Sequence, residues 1–476
     1  MKNLNKTLTF LTFVSLLGLS ACAGVKTSST APTSSPSSTN SGAVSSTSGA
    51  QNAVTINFWH TMGHNNQTLL ENMISRFEAA YPYITVNQTS AAGNYDDLES
   101  LILSAIPAKT TPTMAFCYPD HVAEYIEKNK AVIDLTSYLN DPEIGFQASD
   151  GSHNDTSGKT LTGVDDFVPS FWEEGSNYTA KGVYSVPFAK STEALFYNKT
   201  AFDQNGWSVP QTWDQMWDLC ASIRAAYPQK GADGKYTYYP LGYDSDSNFY
   251  ITLSEQKGIP FTSATGDHYL FNNAAAKTMV SDLKSKYDEG YFVTKATTAN
   301  STYTSTKFTN GEILMSIGST GGTTYNQTNN FTVGVAVPPS MDLEKPAVIS
   351  QGPSICFFAD ATAEQKRAAW LFYRFISTAD NSTYYAISTG YQPVRVSSYE
   401  TSKYTSFVNA AAGDRTIFND VASVAQGMQN SYFNSPVFVG SAKARSEMTG
   451  LMGSVLLGSK TVDAAFNDAM SNCLNS

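Results

Sequence analysis

The chain has 476 residues, with 30 Lys and Arg against 41 Asp and Glu, a formal net charge of -11 and 41% hydrophobic residues. That acidity excludes nucleic acid and an anionic lipid surface as main partners, because both select basic patches. The length is that of two or three domains, and five cysteines without CxxC spacing exclude zinc-ribbon and thioredoxin-type chemistry.

The first segment reads as an export signal. Lys2 and Lys6 form a positive n-region, Leu8 to Leu19 a short apolar h-region, and Leu19-Ser20-Ala21-Cys22 a lipobox. About a dozen apolar residues are too few to span a bilayer core of roughly 30 Å, so the segment is a signal and not an anchor. The mature chain is therefore expected to begin at a lipid-modified Cys22, held at the cell membrane and facing outward, on the extracellular side or in the periplasm. Residues 23–52 are almost wholly Ser, Thr, Ala, Gly, Pro and Asn, with Lys26 their only charge. Such a composition buries too little apolar surface to offset ordering entropy and predicts a disordered tether, with an average reach on the order of 30 Å.

The body opens with Val54–His60, short and apolar enough for a buried strand. Leu69, Leu70, Met73, Ile74 and Phe77 then recur at helical spacing over 67–80, until Pro82 stops the run. Ile84–Val86 predicts a strand, 95–106 a helix, 113–117 a strand and 122–128 a helix, an alternation that points to an α/β layer with a parallel sheet. A second block of the same class follows Val183–Pro187, with a strand at Leu195–Tyr197 and a capping box at Thr212-Trp213-Asp214-Gln215. The helix it opens carries Trp213, Met216, Trp217, Cys220 and Ile223 on one stripe, which is core packing. A further box, Thr362-Ala363-Glu364-Gln365, opens a helix carrying Ala369, Phe372, Phe375 and Ile376. Cys117 and Cys356 lie in apolar, strand-like runs and read as buried free thiols. Export permits disulfides, and the four body cysteines, with Cys220 and Cys473, allow three full pairings that spacing does not choose among.

Catalytic patterns are weak. Glu173 and Glu174 adjoin, but adjacent residues of a strand face opposite sides and do not flank one glycosidic bond. His60 and His64 have the spacing of helical metal ligands without an HExxH or an acidic companion, and neither a Walker loop nor a Gly-x-Ser-x-Gly elbow occurs. No enzyme, metal or cofactor is expected.

Several short motifs fall in register. They are Phe58-Trp59-His60 before a helix ending Arg76-Phe77-Glu78, Pro187-Phe188 leading to Leu195–Lys199, Pro210 to Trp213, Lys307-Phe308 with Asn310-Gly311-Glu312, and Thr389-Gly390-Tyr391 with Pro393. In that order the chain resembles the family 1 extracellular solute-binding proteins of ABC importers, and within them the sn-glycerol-3-phosphate-binding branch. The resemblance implies a type II periplasmic-binding fold, maltose-binding-protein-like, with two α/β lobes joined by crossing strands. It divides the chain into a signal peptide (1–21), lipidated Cys22 with its tether (22–52), an N-terminal lobe (53–190 plus 334–362) and a C-terminal lobe (191–333 plus 363–476). The implied partners are a small polar solute and the transmembrane permease subunits, with the receptor acting as a monomer.

Carried over residue by residue, the branch places ligand contacts at Tyr95, Ser191, Ser319, Gly352, Tyr391 and Arg445. The set suits a phosphate: a guanidinium makes bidentate charge-assisted bonds, hydroxyls donate, and a glycine lets backbone N–H approach an anion. The polyol end departs from the pattern. Pro119 stands where the branch has a glutamate, so Tyr118 or Asp120 would substitute, and Tyr243–Tyr250 replaces a paired-tryptophan segment, which brings in Asp244, Asp246 and Tyr250. The cargo is thus expected to be glycerol-3-phosphate-like or a glycerophosphodiester. The alternative is a di- or oligosaccharide, and the rival from another class is a surface glycan-acting enzyme or adhesin.

Overall fold

The computed structural model describes residues 52–146, 152–154, 160–232 and 234–475. Cys22 and the tether lie outside the described residues, apart from Asn52.

Val54–His60 alternates its burial, with Ile56, Phe58 and His60 turned inward. Those residues meet a stripe on helix His64–Ala80 made of Leu70, Met73, Ile74 and Phe77, at the 3.6-residue period of one helical face. The strand becomes the second of five in a sheet, flanked by Ile84–Ser90 at the edge and Met114–Cys117 at the centre, both parallel to it. Ser354–Phe357 and Val186–Pro187 extend it antiparallel. The second five-stranded sheet runs in the order Val333–Ala336, Glu193–Asn198, Ile313–Ser319, Tyr239–Tyr243, Phe292–Thr294. It also mixes directions, with Glu193–Asn198 antiparallel to both its neighbours. The fold is therefore α/β and two-lobed, but each sheet carries reversed strands where the chain crosses between lobes.

Two of the expected handovers are corrected by packing. Val333–Ala336 pairs with Leu195–Asn198 in the second sheet, so the chain has not returned to the first lobe at 334. The crossing comes later, between Ile349 in the second core and Ile355 in the first. Helix Ala363–Ile376 also stays in the first lobe. Its capping box forms between Thr362 and Gln365, at 3.0 and 3.2 Å, and the Gln365 amide then donates to Thr55 O of the first strand at 3.0 Å. Phe372 packs edge-on to Phe58 and Phe77, Trp370 donates to Ile144 O, and Tyr373 donates to Pro187 O. Each fully buried ring of this kind contributes about 1.5 to 3 kcal/mol. The apolar stripe was visible in the sequence, but a stripe does not say which sheet it covers. The second core is completed by helices Ser441–Leu456 and Val462–Leu474, through Met448, Met452 and Phe466.

Trp213 is buried in that second core and stacks on Trp217 and Phe249, a packing role. Among the described residues no disulfide joins the four body cysteines, and all four are buried. Glu173 closes a short helix, Pro169–Glu173, so the strand geometry expected there is wrong; Glu173 is exposed and Glu174 buried.

Glu174 is held by the crossing segments. Lys190, fully buried, donates to it and, at 3.1 Å, to Gly352 O, while Ser350 Oγ donates to the other carboxylate oxygen at 3.0 Å. Removing one partner strands the other charge out of water. Lys190→Ala is expected to destabilise the fold by about 3 to 5 kcal/mol, and the double change Lys190→Met, Glu174→Leu by clearly less, as read from urea denaturation. A double variant weaker than Lys190→Ala would contradict this account.

Candidate functional site

The lobes meet where two crossing segments pair. Ser191 and Gln351 exchange backbone hydrogen bonds, Ser191 N to Gln351 O at 2.7 Å and Gln351 N to Ser191 O at 2.8 Å. Gly352, at φ +103°, follows in a backbone conformation that side chains rarely adopt, and a Cβ there would lie 2.3 Å from Ala189 O. The glycine at 352 is thus required by the close approach of the segments.

Beside this line lies a cavity of about 720 Å³. All six residues carried over as ligand contacts, Tyr95, Ser191, Ser319, Gly352, Tyr391 and Arg445, stand on its wall. Tyr95 is the first residue of helix Tyr95–Ala108, set by a capping box in which Asn94 Oδ1 accepts from Asp96 N at 2.8 Å and Asp97 accepts from Asn94 N at 2.8 Å. Its ring stacks at a tilt on Tyr118, 4.3 Å between centroids. Ser319 ends the central strand of the second sheet; its hydroxyl donates to Ser191 Oγ at 3.2 Å and accepts from Gly321 N at 3.2 Å. Tyr391 lies directly on Gly321, where a Cβ would meet the ring at 2.6 Å. Burial raises the Tyr95, Tyr118 and Tyr391 hydroxyls above the usual phenol range, so each stays a donor at neutral pH.

Arg445 lies in the second turn of helix Ser441–Leu456 and donates to Asn248 Oδ1. Asn248 in turn donates to Glu193 Oε1 at 2.8 Å and to Gln351 Oε1 at 2.9 Å. Tyr243 OH donates to the other oxygen of Glu193. Asn248, Glu193 and Gln351 all face the cavity, and none was singled out from the sequence. The available signal was Glu193 itself, a carboxylate heading an otherwise apolar strand two residues after Ser191.

The second-tier candidates separate. Tyr118 and Asp244 are on the cavity wall. Asp244 is already engaged, accepting from Thr304 Oγ1 at 2.7 Å and Ser305 N at 3.1 Å, and burial raises its carboxyl. Asp120 lines a smaller adjoining cavity. Asp246 and Tyr250 are on neither wall; they lie in helix Asp246–Gln256, which is buried over most of its length. Asp246 accepts from Ala296 N at 3.0 Å and Tyr250 is in the core. His60 is buried and paired with Gln88 at 2.8 Å, and among the described residues no group of three or more His, Cys, Asp or Glu is arranged for a metal. No helix among the described residues is long and apolar enough to cross a membrane.

Residues 72–412 match the sequence profile of the family described as bacterial extracellular solute-binding protein. Curated relatives include the sn-glycerol-3-phosphate-binding periplasmic protein UgpB of Pectobacterium atrosepticum, 24% identical over 77% of this chain and 79% of that one. The Escherichia coli K12 protein of the same name is 24% identical over 77% and 80%. Among solved structures, Mycobacterium tuberculosis UgpB in complex with glycerophosphocholine superposes with a TM-score of 0.71 at 18% identity, covering 89% of this chain and 98% of that one. A Listeria monocytogenes ABC substrate-binding protein in complex with cycloalternan gives 0.72, also at 18% identity, over 89% and 99%.

Burial pushes the Glu193 carboxyl up to about 7, against the hydrogen bonds from Tyr243 and Asn248 and the charge of Arg445. An unfolded glutamate titrates near ~4.3. Between those values the folded chain keeps a proton that the unfolded chain has released, so stability falls as pH rises through the window and levels off above it. Glu99, raised by burial to about 7 as well, acts in the same direction. Glu193→Gln is expected to flatten the decline partway, measured by urea titrations from about pH 4.5 to 8; an unchanged slope would contradict the assignment.

Proposed function

The chain belongs to the bacterial extracellular solute-binding proteins, and we propose that its cargo is a small anionic polyol ester, glycerol-3-phosphate-like or a glycerophosphodiester, with its phosphate at Arg445. The protein is the solute-binding component of an ABC importer, taking up a small polar solute and working with permease subunits. Its matched relatives are transport receptors and not enzymes.

The observation that carries the cargo reading is Arg445 and its surroundings. It is the one basic residue among the described residues of the cavity wall, which it shares with the hydroxyls of Ser191, Ser319, Tyr95 and Tyr391. Asn248 orients the guanidinium through a neutral amide, which fixes its direction without cancelling its charge. The glycerol-3-phosphate relatives and the glycerophosphocholine complex support the same chemistry.

A second reading, a di- or oligosaccharide, is favoured by a different observation. The wall also carries Phe116, Tyr118, Tyr303, Tyr325 and Tyr385, with Asp96 and Asp244 as acceptors, a set suited to stacking and hydroxyl recognition. Asp96 stays charged through its hydrogen bond with His121, which lowers its carboxyl.

Calorimetry decides between them. Arg445→Ala is expected to weaken sn-glycerol 3-phosphate binding about ten- to a hundredfold, the worth of charged hydrogen bonds, and to leave any maltose-type sugar binding unchanged. Equal phosphate-ester affinity after the change would sink the anion site. Cys22 is proposed to anchor the receptor by lipid. Cys22→Ala is expected to release the protein from the membrane fraction and abolish incorporation of labelled fatty acid; retention in that fraction would contradict it.

A further inference from the structure

The acidic side of the cleft is organised around one imidazole. His121, in helix Pro119–Asn129, is 3% exposed, and its Nε2 stands 3.6 Å from Asp96, 3.7 Å from Glu99 and 4.0 Å from Asp120. Asp96 and Glu99 come from helix Tyr95–Ala108. Asp96, 70% exposed, is on the wall of the larger cavity, and Asp120 is on that of the smaller. Arg445 stands on both walls, and its helix, Ser441–Leu456, packs against the His121 helix across the lobe junction. The other titratable neighbours are Tyr118, with ring centroids 5.5 Å apart, Glu124, whose charge reaches Glu99, and Lys295, whose charge reaches Asp96 as that of Arg445 does.

Three carboxylates thus share one buried imidazole beside the guanidinium. A neutral ring leaves their charges facing an incoming anion, and like charges at close quarters cost affinity. We propose that His121 is a positioning residue for anion capture: its imidazolium offsets Asp96, Glu99 and Asp120 beside Arg445, so that anion binding is linked to a proton held there. The proposal rests on Arg445 being the anion-binding group. Burial disfavours the imidazolium, but Asp120, Asp96 and Glu99 outweigh it and raise the imidazole above its ordinary value. The proton is held below that raised value and lost as pH rises past it, and anion affinity falls across the same window.

Glu193 acts in the same direction from the other lobe, so the test is made on Glu193→Gln protein, alone and with His121→Gln, His121→Lys or Glu99→Gln added. Calorimetry from about pH 6 to 9 reads the affinity for glycerophosphoglycerol, a phosphodiester whose single charge is constant over the neutral range, and for sn-glycerol 3-phosphate above about pH 7, where the monoester is doubly charged. With His121 intact, affinity is expected to fall about three- to tenfold as pH rises. His121→Gln is expected to bind at the weaker level throughout, and His121→Lys, whose charge is fixed, at the tighter level throughout; melting curves check that each variant folds. Glu99→Gln is expected to keep the slope. Equal losses at every pH in both His121 variants would mark a merely structural histidine, and a slope that survives His121→Gln would place the proton elsewhere; either overturns the proposal. If Arg445→Ala abolishes binding while the His121 variants keep the slope, the role of His121 alone fails. If neither probe binds, or binding survives Arg445→Ala, the anion site fails and that role with it.

Discussion

The backbone pair between Ser191 and Gln351 is the constraint from which the cleft takes its shape. Each of the two crossing segments carries wall residues, Ser191 and Glu193 on one and Gln351 and Gly352 on the other, so the residues that join the lobes are also those that face the cavity. Gly352 permits the segments to approach, since a side chain would collide with Ala189 O. The buried Lys190–Glu174 pair then fastens the same junction from beneath, with Ser350 and Gly352 O satisfying the remaining partners. A cleft hung on paired segments of this kind is the geometry in which hinge closure operates, with walls from both lobes moving about one line.

The proposed anion site of this acidic chain depends on local arrangement and not on the overall field. At physiological salt, exposed charges more than about 8 Å apart are largely screened, so a net charge of -11 does little inside a cleft. What matters there is the partner of Arg445. A carboxylate in the place of Asn248 would neutralise the guanidinium, whereas the amide orients it and passes its own donors to Glu193 and Gln351. Glu193 sits one step behind, and its burial holds the carboxyl near neutrality, which limits the negative charge next to an incoming anion. On the proposed site, anion binding at Arg445 and protonation of Glu193 therefore favour one another.

Much of this was legible in the sequence because it is local. Capping boxes at Thr212 and Thr362 are set by residues three apart, and the alternation of Val54–His60 follows from the strand period. What was not legible depends on partners far along the chain. The stripe of Ala363–Ile376 fits either sheet, and only the contact of Gln365 with Thr55 and of Phe372 with Phe58 assigns it to the first. Pro169 at the start of a helix was the missed cue for Glu173. Asp246 and Tyr250 appeared as polar cleft candidates, but their helix is enclosed by the second core. The six ligand positions taken from the family resemblance do converge on one cavity, while the network that orients Arg445 came only from the folded chain.

The central claim is that the cargo's anion sits on Arg445, at the meeting of the two lobes. Crystals of the protein grown with sn-glycerol 3-phosphate test it most directly, through the position of the phosphorus. The account predicts phosphate oxygens within hydrogen-bond reach of the guanidinium, about 2.7 to 2.9 Å, with the hydroxyls of Ser191 or Ser319 completing the shell. A ligand lodged among Tyr303, Tyr325 and Tyr385, with no phosphate oxygen on Arg445, would contradict it.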